Sequence, residues 1–489
     1  MSPKDTRSVS RAELETLLEP LLLNRLGREN RTFRLRSFTP VITANRLDLA
    51  TKLAFLESLD DPGTSFAARL YDRHIAAFSL GLAEPGDPTK RGSDVFRETF
   101  MALLRDMRQN GFDPQRSLIP LASDGTILNG AHRVACAIHL GIPLLGVETG
   151  LEPFCYDGAY FHRRGMLDED LDAMTLAHVT RARDAAIVMF WPAARQNLDA
   201  ALELLGPLVC KREIKLSMQG AHNFLSEIHA GESRIGPAEE GFPGLIAKRE
   251  QCFRSERPLR VMVVHLEPAR DRQAILAELR SKHQLTEDAV YLTRSQEEAI
   301  RVSRLLFNRQ SLHFLNHAAP CRDPELARHV DSFRAAVTHQ GGDAEQTVMG
   351  RETVLGLYGL RKADAVDYLS AAKLELPSPF RRDVLPETAP EFGDICNDPR
   401  WHFHFRDQRF LALPLLARIM EGAGNARDTA DMALIRPLLQ PLEPSRWDRR
   451  RARLRLARAR AKHGVIVLLD LLGIKHIARR AHRALWPRG

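Results

Sequence analysis

The sequence predicts a protein of mixed α/β (α+β) class with several domains. Short apolar runs bounded by turn residues alternate with longer segments whose apolar residues recur at helical spacing. This alternation is clearest between residues 185 and 320, where it indicates helices packed on a sheet. The chain has 489 residues, 44% of them hydrophobic and 27% charged, which suits two to four folded domains and excludes a disordered chain.

Residues 1–94 are predicted to be a helical N-terminal region. Apolar residues at helical spacing occupy residues 10–27, 45–59 and 65–81. The Pro- and Gly-rich stretch from 81 to 92 predicts a loop. A further helix over 94–109 opens a second predicted domain, residues 95–165.

The stretch from Leu118 to Gly141 combines a tight turn with a helix start. Asp124-Gly125 is a turn signal between two short apolar runs. Gly130 interrupts the second run, and the helix that follows is predicted to end at Gly141, a favourable C-cap residue. A short strand is expected after it, over residues 144–148.

An anion site is predicted at the start of this helix. Backbone N–H groups and the helix dipole favour negative charge there. An arginine and a histidine in the first turn add donors suited to phosphate, and a glycine lets a ligand approach the backbone closely. The candidate nucleotide-binding residues are Asn129, Gly130, Ala131, His132 and Arg133.

These residues resemble the ParB/sulfiredoxin fold, whose hallmark is a turn and strand leading into Gly-x-His-Arg or Gly-x-Arg-Arg at a helix start. The resemblance covers roughly residues 95–150. It implies binding of ATP, ADP or CTP, and members of the superfamily phosphorylate small hydroxyl compounds, reduce sulfinic acids or clamp DNA. Sulfiredoxin has its reactive cysteine just before the His-Arg pair, where this chain has Ala131, so sulfinic acid reduction is not expected. Phosphate transfer would need a carboxylate base, for which Asp113 and Asp124 are candidates by proximity in sequence.

A second resemblance lies in the C-terminal half. Residues 185–440 resemble a polymerase-β-type nucleotidyltransferase-like region of the kind found in bacterial capsule and lipopolysaccharide proteins, with the predicted α/β domain at 185–320 carrying a companion segment and residues 321–440 forming the nucleotidyltransferase-like domain. Such a domain implies Gly-Ser at a helix start and Asp-x-Asp on a strand holding two Mg²⁺. This chain has Gly350-Arg351 and Ala365-Val366-Asp367 instead, which indicates a degenerate site. If metal is bound, Asp367 is expected to be the catalytic ligand, with Asp364 as its partner.

Charge separates the body from a basic tail. Residues 446–489 contain 14 Lys and Arg and two acidic residues, a net charge of +12, so the remainder of the +8 chain carries −4. A DNA-binding body is therefore not favoured. The tail is predicted to be a basic amphipathic helix, and three partners remain open: an anionic membrane surface, the body of the protein, or nucleic acid.

The sequence thus predicts a cytoplasmic protein peripheral to the inner face of the cell membrane. Residues 1–10 lack a signal-peptide core and no apolar run is long enough to span a bilayer. The first hypothesis is an ATP- or ADP-binding protein, with Mg²⁺, that transfers phosphate to a small hydroxyl substrate in surface-polysaccharide synthesis. A nucleotide-sensing or DNA-associated binding protein and a catalytically inactive scaffold are the alternatives.

Overall fold

The α/β class is confirmed in the computed structural model, which describes residues 8–27, 31–60, 64–84, 87–194, 202–267, 270–423, 425–439 and 445–471. These residues form three sheets, of four, four and five strands, and one two-stranded ribbon. Helices cover the sheets and contribute most of the buried apolar residues between them.

The first sheet combines two N-terminal strands with the strands on either side of the predicted phosphate-site helix. The elements of this part of the chain are β1 (Ser8–Ser10), α1 (Pro20–Leu26), β2 (Thr32–Phe38), α2 (Leu47–Glu57), α3 (Phe66–Ser79), β3 (Ala83–Glu84), β4 (Asp87–Arg91), α4 (Ser93–Asn110), β5 (Ile119–Leu121), α5 (Ala131–Leu140) and β6 (Leu144–Glu148). The strand order is β1-β2-β6-β5, with β2 antiparallel and β5 parallel to β6. The predicted helix start, the Gly141 cap and the strand over 144–148 are confirmed.

The prediction of a separate helical region over 1–94 is wrong. β1 and β2 belong to the same sheet as β5 and β6, so the predicted boundary at residue 94 cuts through one folded unit. The predicted helix over 10–27 is divided, because α1 begins only at Pro20, where the missing proline N–H is tolerated. The predicted loop over 81–92 contains the two short strands β3 and β4, which pair antiparallel.

The second sheet lies in the predicted 185–320 domain. Its elements, with the preceding helices, are α6 (Gly158–Arg163), α7 (Asp168–Arg181), β7 (Ala185–Phe190), α8 (Leu202–Leu205), β8 (Leu208–Ile214), α9 (Met218–Ile228), α10 (Leu245–Cys252), β9 (Leu259–His265), α11 (Arg272–Lys282), β10 (Val290–Leu292), α12 (Gln296–Leu306) and α13 (Arg309–His317). The order is β10-β7-β9-β8, and every pairing is antiparallel. Every residue of β7 is buried, as expected for a strand covered on both faces.

The third sheet belongs to the predicted 321–440 domain. Its elements, with the tail helix, are α14 (Pro324–His339), β11 (Thr347–Met349), α15 (Arg351–Leu357), β12 (Val366–Ser370), β13 (Phe380–Arg382), α16 (Phe392–Asn397), β14 (His402–Phe405), β15 (Gln408–Leu411), α17 (Leu413–Ala423), α18 (Ala426–Ile435) and α19 (Arg446–Leu471). The order is β13-β12-β11-β15-β14. β11 pairs antiparallel with β12 and parallel with β15, and β14 and β15 form a hairpin.

One apolar core joins the first two parts of the chain. Leu47 of α2 and Leu70 of α3 belong to the same buried cluster as Phe161 of α6 and Met189 of β7. The stretch between the predicted domains, residues 166–184, is largely helix α7, which packs against α2. The first sheet with its helices, which we call the N-terminal unit, and the second sheet are therefore not separated by a linker.

The basic helix α19 packs on the body along one side. Ala452 is buried, and Arg455 donates to the backbone carbonyls of His162 and Met166 at 2.9 and 3.0 Å. Arg460 Nε donates to the Leu80 carbonyl at 2.9 Å. The described part of the tail therefore contacts the body of the protein, and the membrane surface and nucleic acid stay predictions for its exposed side. The described helices include none with the length and apolar character needed to span a bilayer.

Candidate phosphate-binding site

The hairpin–helix element, residues 119–133, is held in shape by its own hydrogen bonds. Ala122 N–H donates to the Thr126 carbonyl and Leu128 N–H to the Pro120 carbonyl, both at 2.8 Å. Asp124 Oδ1 accepts from the Thr126 N–H and hydroxyl at 2.9 and 2.7 Å. The predicted turn is therefore present, and Asp124 shapes it.

Gly130 is required by its backbone conformation and by its neighbours. Its φ is +83°, in the left-handed region that strains other residues. A Cβ at this position would lie 2.9 Å from Ile119 Cδ1 and 3.2 Å from Arg133 Nη2. Asn129 Oδ1 accepts the Gly130 N–H at 2.6 Å. Glycine thus allows the Arg133 guanidinium to fold back to the start of α5.

Arg133 is a half-buried cation whose guanidinium contacts no hydrogen-bond acceptor or carboxylate among the residues the structure describes. Burial lowers its pKa, and the charge of Glu19, just before α1, opposes that shift. Within the same described part of the chain, the backbone N–H groups of Ala131 and Arg133 also have no acceptor. An anion at this helix start would meet donors that the protein itself does not use.

His132 points one ring nitrogen into the protein. Its Nε2 lies 2.9 Å from the Tyr71 hydroxyl, while the Tyr71 hydroxyl is 3.4 Å from the Phe96 carbonyl. The Tyr71 hydroxyl thus links the His132 ring to the interior of the protein. The edge of Phe100 packs on the ring with centroids 4.6 Å apart. The imidazole is therefore fixed in orientation.

A buried polar network leads from α2 to His132. The Arg46 guanidinium holds both oxygens of Asp48 at 2.8 Å, and Lys52 Nζ contacts Asp48 Oδ2 at 2.9 Å. Lys52 Nζ is also 3.1 Å from His74 Nε2, and His74 Nδ1 lies 2.5 Å from the Tyr71 carbonyl. We call these residues, with Tyr71 and His132, the Arg46–His132 network.

The charges of this network are held deep in the protein. Arg46, Asp48, Lys52 and His74 are each at most 2% exposed. Burial alone would raise the pKa of Asp48, but Arg46 and Lys52 hold it far below its ordinary value. Burial and the Lys52 charge keep the pKa of His74 well below its ordinary value, so His74 is neutral and accepts from Lys52. Arg46 Nη1 also donates to the Ile127 carbonyl at 3.1 Å, which ties the network to the hairpin–helix element.

The sequence did not single out this network. Two features of the sequence could have indicated the network. Asp48 and Lys52 are four residues apart, and polar residues occur within segments that are otherwise apolar. The two predicted carboxylate bases, Asp113 and Asp124, are not part of the Arg46–His132 network. Asp113 is exposed and accepts the Gln115 N–H at 2.9 Å, and within the described chain neither Asp113 nor Asp124 contacts His132 or Arg133.

The structure argues against the predicted metal pair in the C-terminal half. Asp367 is 1% exposed, and its two carboxylate oxygens accept the Glu352 N–H at 3.0 Å and the Thr353 N–H and hydroxyl at 2.9 Å. It therefore caps the N-terminus of α15. Burial raises its pKa against the effect of these donors, which disfavours the ionised form that Mg²⁺ needs. The position of Gly350 excludes a side chain, because a Cβ there would lie 2.8 Å from Asp367 Oδ2.

Ion pairs surround the same helix start. Arg351, where a nucleotidyltransferase has serine, pairs with Asp428 of α18. Arg361 bridges Glu352 and Asp431 at 2.7 and 2.8 Å. Asp364 is exposed and pairs with Arg427 at 2.9 Å. Among the described residues no three His, Cys, Asp or Glu side chains are grouped to hold a metal, so the expected role of Asp364 and Asp367 is replaced by helix capping and ion pairing.

Replacing Asp367 with alanine is expected to destabilise the third sheet by about 2–4 kcal/mol, because a helix cap is lost and buried N–H and hydroxyl donors are left unpaired. Thermal unfolding measures the change, with exposed Asp364→Ala as the matched control that shifts little. Adding Mg²⁺ should not move either midpoint. A Mg²⁺-dependent stabilisation of the wild type that Asp367→Ala abolishes would contradict the capping role.

Comparisons of the chain with protein-family models, with curated proteins and with solved structures find no match. The two family resemblances therefore rest on the motifs alone.

Proposed function

We propose that the chain is a nucleotide-binding protein that holds the phosphates of ATP or ADP at the start of α5. The observation that carries the proposal is the Arg133 guanidinium, half-buried and without an acceptor in the described chain, beside the unused N–H groups of Ala131 and Arg133. A guanidinium presents a planar fork of donors that matches phosphate oxygens. The helix start adds its partial positive charge.

In this proposal His132 supports the phosphates from a fixed position. Tyr71 holds its Nε2 at 2.9 Å, which fixes the imidazole next to Arg133 at the start of α5. Mg²⁺ would arrive with the nucleotide, held by phosphate oxygens and water, since the described residues group no set of protein ligands for it.

We extend the proposal to transfer of the terminal phosphate to a small hydroxyl compound. The clamp would neutralise the charge that develops on the transferred group. A base would be required, and Asp113 and Asp124 each use only Oδ1 in hydrogen bonds within the described chain. Asp124 belongs to the same hairpin–helix element as the clamp and is the better candidate.

Competition experiments test the phosphate-centred recognition. A fluorescent ATP analogue is bound to the full chain with Mg²⁺, and ATP, ADP, CTP, inorganic pyrophosphate and adenosine are each added as competitors. Displacement by pyrophosphate and not by adenosine is expected, because the donors at α5 contact phosphate. Displacement by adenosine with no effect of pyrophosphate would exclude the clamp.

We also propose that α19 attaches the protein to an anionic membrane surface. The side of α19 opposite Ala452 and Arg455 exposes Trp447, Leu454 and Val465, which are 65, 53 and 55% exposed. Exposed arginines, among them Arg451 and Arg458, lie between these apolar residues on the same side. Apolar side chains flanked by cations suit the interface of a bilayer with anionic headgroups.

Flotation with vesicles tests this attachment. Arg451→Glu with Arg458→Glu should reduce binding to phosphatidylserine vesicles by on the order of 1,000-fold, since each cation near an anionic leaflet contributes about 1 kcal/mol and reversal doubles the loss. Arg105→Glu with Arg108→Glu on exposed positions of α4 is the charge-matched control. Equal losses in both pairs would contradict a specific surface. Binding of RNA or DNA by α19 in preference to vesicles would favour the nucleic-acid alternative.

A further inference from the structure

A cavity of about 350 Å³ lies away from the hairpin–helix element, where α9, α12, α14 and the β14–β15 hairpin meet. It is lined by charged residues, which we call its polar wall, and by apolar residues that include Ile235, Ala238 and Phe242. The volume falls near the lower end of the roughly 300–1,000 Å³ typical of small-molecule sites. We call it the Glu227 cavity.

Glu227 is a buried carboxyl group with one unused oxygen. It is 3% exposed and lines the cavity. Its Oε2 accepts the Arg406 N–H at 2.8 Å, and within the described chain its Oε1 receives no donor. Oε1 is absent from the fully buried atoms that lack a partner in the described chain, so it is open to the cavity and a ligand donor can reach it.

Three of the six non-glycine residues with positive φ in the described chain line this cavity: Phe242, Arg406 and Asp407, at +57°, +49° and +53°. Arg406 and Asp407 form the two-residue loop of the β14–β15 hairpin, which requires positive φ at both positions. Phe242 is not part of a hairpin loop, and its left-handed conformation is uncommon for a bulky residue.

Contacts from α9, α12 and α14 hold the β14–β15 loop at Arg406 and Asp407. Glu227 accepts the Arg406 N–H, and the Arg406 guanidinium pairs with Asp331. Arg334 Nη2 donates to the Asp407 carbonyl at 2.6 Å, and Arg301 lies 3.9 Å from the Asp407 carboxylate. These contacts keep the polar wall of the cavity in place.

The charges of the polar wall select against a strongly charged ligand. Three carboxyl groups, of Glu227, Asp331 and Asp407, face two guanidinium groups, of Arg301 and Arg406. The carboxyl groups would repel an anion, and the guanidinium groups would repel a cation. Hydroxyl groups can donate to the former and accept from the latter, and the C–H face of a saturated ring can pack on Phe242.

We propose that the Glu227 cavity binds a neutral polyhydroxylated ligand of monosaccharide size, with Glu227 accepting from a hydroxyl group and Phe242 packing against the ring. This site is independent of the proposed phosphate site, and its test does not depend on nucleotide binding.

Saturation-transfer NMR with the full chain at pH 8 tests the proposal. The probes are glucose, N-acetylglucosamine and myo-inositol, with glucosamine and glucuronate as cationic and anionic counterparts. At least one neutral probe should bind, Glu227→Gln should weaken it at least tenfold, and Ala238→Trp, which fills the cavity, should remove it. Glu239→Gln, exposed on the same loop, should leave binding unchanged.

Three outcomes would overturn the proposal: binding of only a charged probe, equal binding by Glu227→Gln and the wild type, or no binding of any probe to the folded wild type. Because Ala238→Trp could perturb folding, the Glu227→Gln result decides if the two variants disagree.

The Glu227→Gln variant also tests how the Glu227 carboxyl group changes folding stability with pH. Burial raises the pKa of Glu227 to about 7 from the ordinary 4.5, against the opposing effects of the Arg406 N–H and charge and of Arg301, while Asp407 adds to the rise. The folded state therefore binds this proton more tightly than the unfolded state, and stability falls as pH rises from 4.5 through about 7. Glu227→Gln should melt at a higher temperature than the wild type at pH 8 and at nearly the same temperature at pH 4. A lower melting temperature at pH 8 would show that the charged carboxylate serves the fold and would contradict a ligand role.

Discussion

Replacing Asp48 with alanine is expected to destabilise the N-terminal unit by about 3–5 kcal/mol, because a partner of two buried cations is removed. Arg46 and Lys52 contact its oxygens at 2.8 and 2.9 Å, and all three side chains are at most 3% exposed. A loss of this size approaches the whole stability of many domains. Hydrogen exchange of residues 44–80 and thermal unfolding measure it.

Two further variants make this prediction specific. Asp106→Ala removes a carboxylate that pairs with Arg116 at the surface, and it should change stability by less than about 1 kcal/mol. Adding Lys52→Met to Asp48→Ala removes one of the stranded cations and should recover part of the loss. Simple additivity of the two substitutions would contradict a charge-based role for Asp48.

Replacing Arg133 with alanine is expected to weaken ATP and ADP binding at least 100-fold. A bidentate, charge-assisted contact with phosphate is worth about 3 kcal/mol, and each 1.4 kcal/mol corresponds to a factor of ten. The fold should be retained, because within the described chain the guanidinium makes no hydrogen bond or ion pair that supports it. Calorimetric titration measures the loss and thermal unfolding verifies the fold.

Arg133→Lys should recover only part of the affinity, because an ammonium lacks the planar fork. Arg116→Ala is the matched control, an exposed arginine of the same unit that pairs with Asp106 at 3.2 Å. A loss of affinity in Arg116→Ala equal to that in Arg133→Ala would point to general electrostatic attraction and would contradict a clamp.

The elements around the phosphate site were predictable because their signals are local. Gly130 and Gly141 mark the two ends of α5. Gly141 adopts the left-handed conformation common at helix C-termini, and Gly130 adopts it at the N-cap, where it brings Arg133 back to the helix start. β7 was predictable because six consecutive apolar residues bounded by turn signals suit a strand buried on both faces.

The missed features depend on contacts between distant residues. β2 pairs with β6 more than 100 residues later, so it carries no local sign of its sheet. In the sequence, Asp48 is an ordinary polar residue of a helix. Only the folded structure places Arg46, Lys52 and His74 around it. Asp367 has the spacing of a metal ligand, but spacing does not reveal that its oxygens face the N–H groups of α15.

Calorimetric titration of the folded full-length chain with ATP, ADP and CTP in the presence of Mg²⁺ tests the central claim most directly. Saturable binding of ATP or ADP, lost in Arg133→Ala and retained in Arg116→Ala, is the predicted result. Absence of binding by all three nucleotides to a folded wild type would contradict the nucleotide-binding assignment and would leave the inactive scaffold as the better description of this half of the chain.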